Sequence, residues 1–192
     1  MKKLKLLTIA AAAFIISSGN SFAETNEYKI EPNHTSVTWN VNHFGFSNPS
    51  GKFTDIDGKI IFDDVNPAKS SVEITIKIAS LNTGLPKFDQ HLKSKDFFDA
   101  EKFTTAKFVS KKITVNGKDK AKIEGDLTLL GVTKPVTLNA KFNKSGISPV
   151  SQKPTIGFSA DAVITRSEFG IKYAIPGVSD KVNLLIEVEA NR

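Results

Sequence analysis

Val-Glu-Ile-Thr-Ile-Lys-Ile, residues 72–78, alternates an apolar with a polar side chain at every step. Successive side chains of a β-strand point to opposite faces, so this stretch has one apolar face and one wet face. It therefore predicts a strand that covers a core on one side only, which is typical of antiparallel sheets.

The same alternation recurs through most of the chain, and turn-forming residues separate the segments, as at Asn116-Gly117. We expect a two-residue hairpin at that position. Residues 130–135 are predicted to be a link, because Pro135 cannot donate a hydrogen bond inside a central strand. The pattern predicts eight strands, at residues 36–42, 51–62, 71–78, 105–115, 120–129, 136–143, 158–165 and 182–190.

Eight amphipathic strands can close into a barrel or stack as two sheets, and closure removes the exposed edges. An eight-stranded barrel is either just filled by its own side chains or holds one slender ligand. The alternation does not distinguish a filled interior from a hollow one.

Residues 88–103, Phe-Asp-Gln-His-Leu-Lys-Ser-Lys-Asp-Phe-Phe-Asp-Ala-Glu-Lys-Phe, interrupt the alternation. Apolar side chains cluster here among charges with no period of two. We predict a loop with one or two helical turns, with Asp96 as the N-cap. The apolar side chains need a surface to cover, so the segment is either a short helical lid over the end of the barrel or a static plug that completes its core.

The N-terminus carries the features of a signal peptide. Lysines at positions 2, 3 and 5 precede an apolar run at residues 6–16, and Ser21-Phe22-Ala23 has small residues at the cleavage positions. Residues 1–23 are therefore predicted to be removed. Residues 24–192 would remain as one exported periplasmic domain that does not span the membrane.

Composition argues against several classes of function. The net charge of +6 includes the three N-terminal lysines, and no basic run follows, so nucleic acid is not an expected partner. The chain has no Cys and three His without metal-binding spacing, so no metal is expected. Asp89 and His91 lack a nucleophile motif, so no catalytic residue is assigned, and Asp89 is expected to accept backbone N–H groups in its own loop.

Four segments in register resemble the YceI-like family of exported bacterial proteins. They are His-Thr-Ser-Val at 34–37, Asp-Gln-His-Leu-Lys-Ser-Lys-Asp-Phe-Phe-Asp-Ala at 89–100, Gly-Asp-Leu-Thr-Leu-Leu-Gly-Val-Thr-Lys-Pro-Val at 125–136, and Gly-Phe-Ser-Ala at 157–160 with Arg-Ser-Glu-Phe-Gly at 166–170. One departure is Gln90, which offers no cation where, or close to where, the family usually has Arg.

The resemblance implies an all-β, eight-stranded antiparallel barrel similar to a lipocalin, with a long apolar channel. It also implies binding of polyisoprenoid chains, such as quinone tails or polyprenyl phosphates, and of other long amphiphiles. The leading hypothesis is a periplasmic carrier for such a lipid, with no cofactor other than a bound isoprenoid quinone. The alternatives are an enzyme that acts on the lipid and a stress-related interaction protein with a packed interior. Outward-facing Val163 and Leu185 leave a homodimer open.

The predicted ligand contacts combine inward-facing apolar residues with polar groups near the barrel mouth. Arg166 could pair with a pyrophosphate or carboxylate, although an ion pair with Glu168 or Asp161 is the favoured alternative. The full set is Trp39, Val41, His43, Phe53, Ile74, Ile76, His91, Leu92, Phe97, Phe98, Phe108, Leu127, Leu129, Phe158, Ala160, Ile164, Arg166 and Phe169.

Overall fold

Antiparallel strands and one short helix make up the computed structural model, which describes residues 25–192. The predicted signal peptide therefore lies outside the described residues. The strands are β1 Asn26–Asn40, β2 Ser50–Phe53, β3 Ile56–Phe62, β4 Ser71–Lys77, β5 Thr105–Asn116, β6 Lys120–Leu129, β7 Val132–Ile147, β8 Pro154–Thr165 and β9 Lys181–Asn191. The helix is α1 Pro86–Lys93, and 3-10 turns lie at Pro67–Lys69, Ile78–Ser80 and Arg166–Phe169.

The sheet closes on itself, because β1 pairs with β9 as well as with the strands that follow it. β2 pairs with residues 37–40 of β1, and β3 pairs with residues 26–29 of the same strand. Both lie on the side of β1 opposite β9, so β2 and β3 are two parts of one strand that breaks at residues 54–55. The predicted eight-stranded antiparallel barrel is confirmed.

Three local predictions were wrong. Pro135 lies inside β7, opposite Asp126 of β6, whereas the pairing of β7 with β8 begins only at Asn139. The proline is tolerated because its missing N–H faces no second strand. The β5–β6 turn contains three residues, 117–119, and β1 begins at Asn26, ten residues before its alternation becomes regular.

Helix α1 lies in the connection between β4 and β5. Leu85 is extended and Pro86 occupies the first helical turn, where its missing N–H would have no partner in any case. The helix ends at Lys93 with Ser94 as its C-cap, so the prediction of Asp96 as an N-cap was wrong. Asp89 accepts hydrogen bonds from the Thr83 backbone N–H (2.7 Å) and hydroxyl (2.6 Å), as expected.

The two ends of the barrel differ. At the helix end lie the connections at residues 41–49, 78–104 and 166–180, which include α1. At the far end lie the turns at residues 63–70, 117–119 and 148–153. No helix among residues 25–192 is long and apolar enough to cross a membrane.

Candidate functional site

An apolar cavity of about 400 Å³ occupies the helix end of the barrel. Its walls include inward-facing aliphatic residues of β4, β6 and β9, such as Ile76, Leu127 and Leu184. These side chains are only half-buried, although they point into the barrel. In a filled barrel they would be fully covered by their neighbours, so the interior at this end is hollow.

Most of the predicted contact residues are brought together around this cavity. The structure places there Trp39, Val41, His43, Phe53, Ile76, His91, Leu92, Phe97, Phe98, Leu127, Leu129, Ile164 and Arg166.

The other predicted residues lie elsewhere. Ile74, Phe108, Phe158 and Ala160 are on β4, β5 and β8, one or more residue pairs closer to the far end than the cavity. Phe169 is buried in the 3-10 turn after β8. Alternation indicates which face of a strand points inward but not how deep along the barrel a residue lies.

Several lining residues were missed. Val37, Ile78, Val182 and Leu184 lie on apolar faces that the alternation does reveal. The other missed residues either lie on connections, which carry no periodic signal, or have a short side chain; they are Phe44, Pro49, Phe88, Ala106, Ile171, Tyr173, Ala174 and Val178.

Trp39 of β1 lines the cavity. A Cβ at Gly51 of the neighbouring strand would lie 2.6 Å from its ring, so the absence of a side chain at Gly51 is what admits the indole. Phe88 of α1 meets Trp39 edge-on, with ring centroids 6.5 Å apart. The indole Nε1 is the one buried side-chain nitrogen or oxygen of residues 25–192 without a hydrogen-bond partner.

The mouth of the cavity is marked by the lining residues that are exposed to solvent. These are His43 and Phe44 after β1, His91 in α1 and Tyr173 after β8. The rings of His91, Phe97 and Tyr173 contact one another, with centroids 5.1–5.4 Å apart. Two helix-end connections and α1 therefore meet at one aromatic opening.

Arg166 is 4% exposed and donates hydrogen bonds to four backbone carbonyls. Its Nε bonds Ser179, and its terminal nitrogens bond Ile171 (3.3 Å), Tyr173 (2.9 Å) and Val178 (2.9 Å). The favoured ion pair with Glu168 or Asp161 was wrong. The guanidinium fork instead fixes residues 171–179 against the end of β8.

Burial lowers the pKa of Arg166, and the nearby Asp180 opposes that shift. Asp180 accepts hydrogen bonds from the hydroxyl (2.7 Å) and backbone N–H (2.8 Å) of Ser167, and the hydroxyl bond is the main cause that lowers the pKa of its carboxyl. Arg166 and Asp180 thus stabilise the same connection through separate partners.

A second group of polar residues lies outside the cavity, near a β-bulge where the pairing of β1 with β9 shifts register. Glu31, His34 and Glu189 bring three candidate metal-ligand atoms within 4.8 Å of one another. His34 Nδ1 and Glu31 Oε2 are hydrogen-bonded at 2.7 Å. The bulge brings these three residues together, and their spacing in the sequence does not reveal it. The expectation that the protein binds no metal stays a prediction.

Comparison with known proteins identifies close relatives. The family model of the YceI-like domain matches residues 28–190. A UPF0312 protein of Photorhabdus laumondii subsp. laumondii is 38% identical over 192 residues, covering 100% of this chain and 99% of its own. Protein YceI of Escherichia coli O157:H7 is 39% identical over 189 residues, covering 98% and 97%.

Solved structures share the fold. Burkholderia cenocepacia BcnA superposes with a TM-score of 0.75 at 25% identity, over 84% of this chain and 99% of that chain. The Campylobacter jejuni YCEI protein has a TM-score of 0.70 at 37% identity, over 79% and 89%. A Saccharophagus degradans domain described as polyisoprenoid-binding has a TM-score of 0.63 at 12% identity, over 85% and 97%, a likeness of fold alone.

Proposed function

The chain belongs to the YceI-like family, and on that premise we propose that it binds a long-chain amphiphile, an isoprenoid such as a quinone or a polyprenyl phosphate. The chain of the lipid would lie in the cavity at the helix end and its polar group at the mouth. The observation that carries this proposal is the hollow, almost wholly apolar interior of about 400 Å³. That volume falls within the range of roughly 300–1,000 Å³ typical of small-molecule sites.

Burial of the lipid chain supplies enough free energy without special chemistry. About fifteen buried methylene-sized groups contribute roughly 12 kcal/mol at about 0.8 kcal/mol each. Association costs several kcal/mol, which leaves an affinity of about micromolar strength. An apolar cavity without a charged group deep inside is therefore sufficient to bind the lipid chain.

Polar groups at two depths suit an amphiphile with oxygen atoms. His43, His91 and Tyr173 lie exposed at the mouth, where a head group would sit. Trp39 lines the cavity, and an oxygen of the ligand that accepted a hydrogen bond from its Nε1 would remove the cost of a buried, unpaired donor. Arg166 is a weaker candidate for the head group, because four of its five N–H groups already bond backbone carbonyls.

The proposal includes export to the periplasm, which rests on the signal-peptide features of residues 1–23. Binding rather than catalysis is favoured by the engagement of Asp89 with Thr83 and of His91 with aromatic rings. The Saccharophagus degradans domain supports the proposal only as a barrel of the same fold described as polyisoprenoid-binding.

Mass spectrometry of an organic extract of the purified protein tests the proposal. We expect an isoprenoid or another long-chain amphiphile at near-stoichiometric amount. Ala106 is buried on β5 and lines the cavity, so Ala106→Phe should displace the lipid while the fold survives. Thr105→Phe adds the same ring to the exposed face of the same strand and should leave the lipid in place. An empty wild-type extract, or equal lipid in both variants, would show that the cavity does not hold the ligand.

A further inference from the structure

Exposed apolar side chains lie on the connections at the helix end, where the cavity opens. Phe46 is 91% exposed, Phe44 and Leu85 are more than half exposed, and Tyr173 is about half exposed. They belong to three separate helix-end segments: the β1–β2 connection, the start of α1 and the connection after β8. We call these four residues the apolar rim. Phe44 and Tyr173 also line the cavity, so these two side chains connect the exposed apolar surface with the interior.

The exposed position of Phe46 is held by hydrogen bonds rather than by a loose loop. His43 N–H donates to Ser47 (2.9 Å), and Phe46 N–H donates to His43 (3.0 Å). Phe44 N–H donates to Gly177 (2.7 Å), which ties this connection to the one after β8. These bonds hold the backbone of the connection in a path that leaves the Phe46 side chain exposed.

Few charges lie on the segments that carry the rim. Residues 41–49 contain no Asp, Glu, Lys or Arg, and residues 170–178 contain only Lys172. Lys87 of α1 is also exposed. The other exposed charges of the helix-end connections are mixed in sign: Lys95, Lys102, Asp96, Glu101 and Glu168. Exposed aromatic side chains with few charges among them are the composition that favours the interface of a bilayer.

We propose that the apolar rim docks the barrel, mouth first, onto a lipid bilayer. The inference rests on the proposed function, because an isoprenoid chain is insoluble in water and needs an apolar path between the bilayer and the cavity. Contact between the rim and the bilayer provides that path. A second copy of the chain bound to the same rim would block the path between the bilayer and the cavity. The rim is therefore the membrane-facing end of a lipid carrier.

Sedimentation with vesicles of phosphatidylethanolamine and phosphatidylglycerol tests the docking. Phe46 does not line the cavity, so Phe46→Asp changes the rim and leaves the site intact. Val150, at the far end, is 90% exposed and gives the matched control Val150→Asp. We expect the wild type and Val150→Asp to bind the vesicles equally, and Phe46→Asp to lose at least about fivefold of the bound fraction. If Phe46→Asp binds the vesicles as well as the wild type does, the docking is wrong. It is also wrong if the wild type does not bind the vesicles.

A second measurement separates the docking from the proposed function. Farnesol binding in the absence of vesicles can be followed by the fluorescence of Trp39, the single tryptophan, which lines the cavity. Phe46→Asp should bind farnesol as the wild type does. Farnesol binding without vesicle binding overturns the docking alone, and vesicle binding without farnesol binding overturns the proposed function alone. If the wild type is a dimer that Phe46→Asp dissociates, and neither binds vesicles, the rim is an interface between two copies and the docking is wrong.

Discussion

The buried cation Arg166 illustrates how one residue organises the mouth of the cavity. Its side chain bonds the carbonyls of Ile171, Tyr173, Val178 and Ser179, and the first three of these residues line the cavity. Arg166→Met would leave buried carbonyls without donors, at a cost of about 3 kcal/mol or more of unfolding free energy. Lys172→Met removes an exposed cation from the same connection and should change stability by less than about 0.5 kcal/mol. Urea unfolding at neutral pH measures both, and equal midpoints for the two variants would contradict the anchoring role.

Asp180 gives the same connection a dependence on pH. The Ser167 hydroxyl lowers the pKa of this carboxyl in the folded protein. A carboxyl with a lowered folded-state pKa adds stability that is complete above its unfolded-state pKa of about 3.9, and the contribution disappears as the pH falls through the folded-state value.

Ser167→Ala should therefore lower the unfolding free energy most above about pH 4, with a difference from the wild type that shrinks at more acidic pH. Denaturant unfolding between neutral and acidic pH measures this difference. Ser145→Ala, at an exposed position of β7, should give no such pH-dependent difference. A penalty for Ser167→Ala that stays constant with pH would mean that the hydroxyl acts by packing and not through Asp180.

At the scale of elements, α1 closes the cavity with one side and faces solvent with the other. Leu92 is its one buried residue and lines the cavity, whereas Gln90 is exposed. Leu92→Ala should cost about 2–3 kcal/mol, the lower part of the usual range, because the new space joins a cavity that already exists. Gln90→Ala should be nearly neutral. Thermal and urea unfolding report the difference, and a Leu92→Ala variant as stable as Gln90→Ala would mean that α1 does not pack against the barrel.

Elements with strong periodicity could be predicted from the sequence, and elements set by tertiary pairing could not. Residues 182–190 alternate cleanly, and β9 extends only one residue further at each end. Alternation is present on either side of residues 54–55, so the sequence predicts one continuous strand and does not reveal the break that separates β2 from β3. Pro135 is acceptable only because β8 does not reach it, which is a property of register. Helix α1 is too short for a clear helical period, so its start was misplaced.

The same distinction applies to the residues of the candidate site. Trp39 and Leu129 could be predicted because alternation identifies their inward face. Phe108 has the same signal but lies deeper, and depth depends on strand register that one sequence does not encode locally. Phe44 and Tyr173 lie on connections whose paths are determined by Arg166 and by backbone bonds between distant residues.

For the whole molecule, the decisive feature is that the barrel is hollow at one end and obstructed at the other. Toward the far end, the rings of Phe62, Phe142 and Phe158 contact one another with centroids 5.4–5.8 Å apart. Phe62 is on β3, which is not adjacent to β7 or β8, so these rings meet across the interior. We call them the Phe floor. None of the three rings lines the cavity, so the cavity ends before it reaches the Phe floor.

Phe108 predicts a limit on the length of the bound chain. It pairs with Ile74, directly beyond the lining pair Ala106 and Ile76. Phe108→Ala would remove its ring, extend the cavity toward the Phe floor and allow a longer isoprenoid to enter. The change should cost about 3–5 kcal/mol, because Phe108 is buried. Phe169→Ala is the control: its ring is also buried but does not line the cavity, so the stability loss should be similar with no change in space for the ligand. Mass spectrometry of lipid captured from an isoprenoid mixture should show a shift to longer chains in Phe108→Ala only. The same chain-length distribution in both variants would mean that the Phe108 ring stabilises the barrel without limiting its ligand.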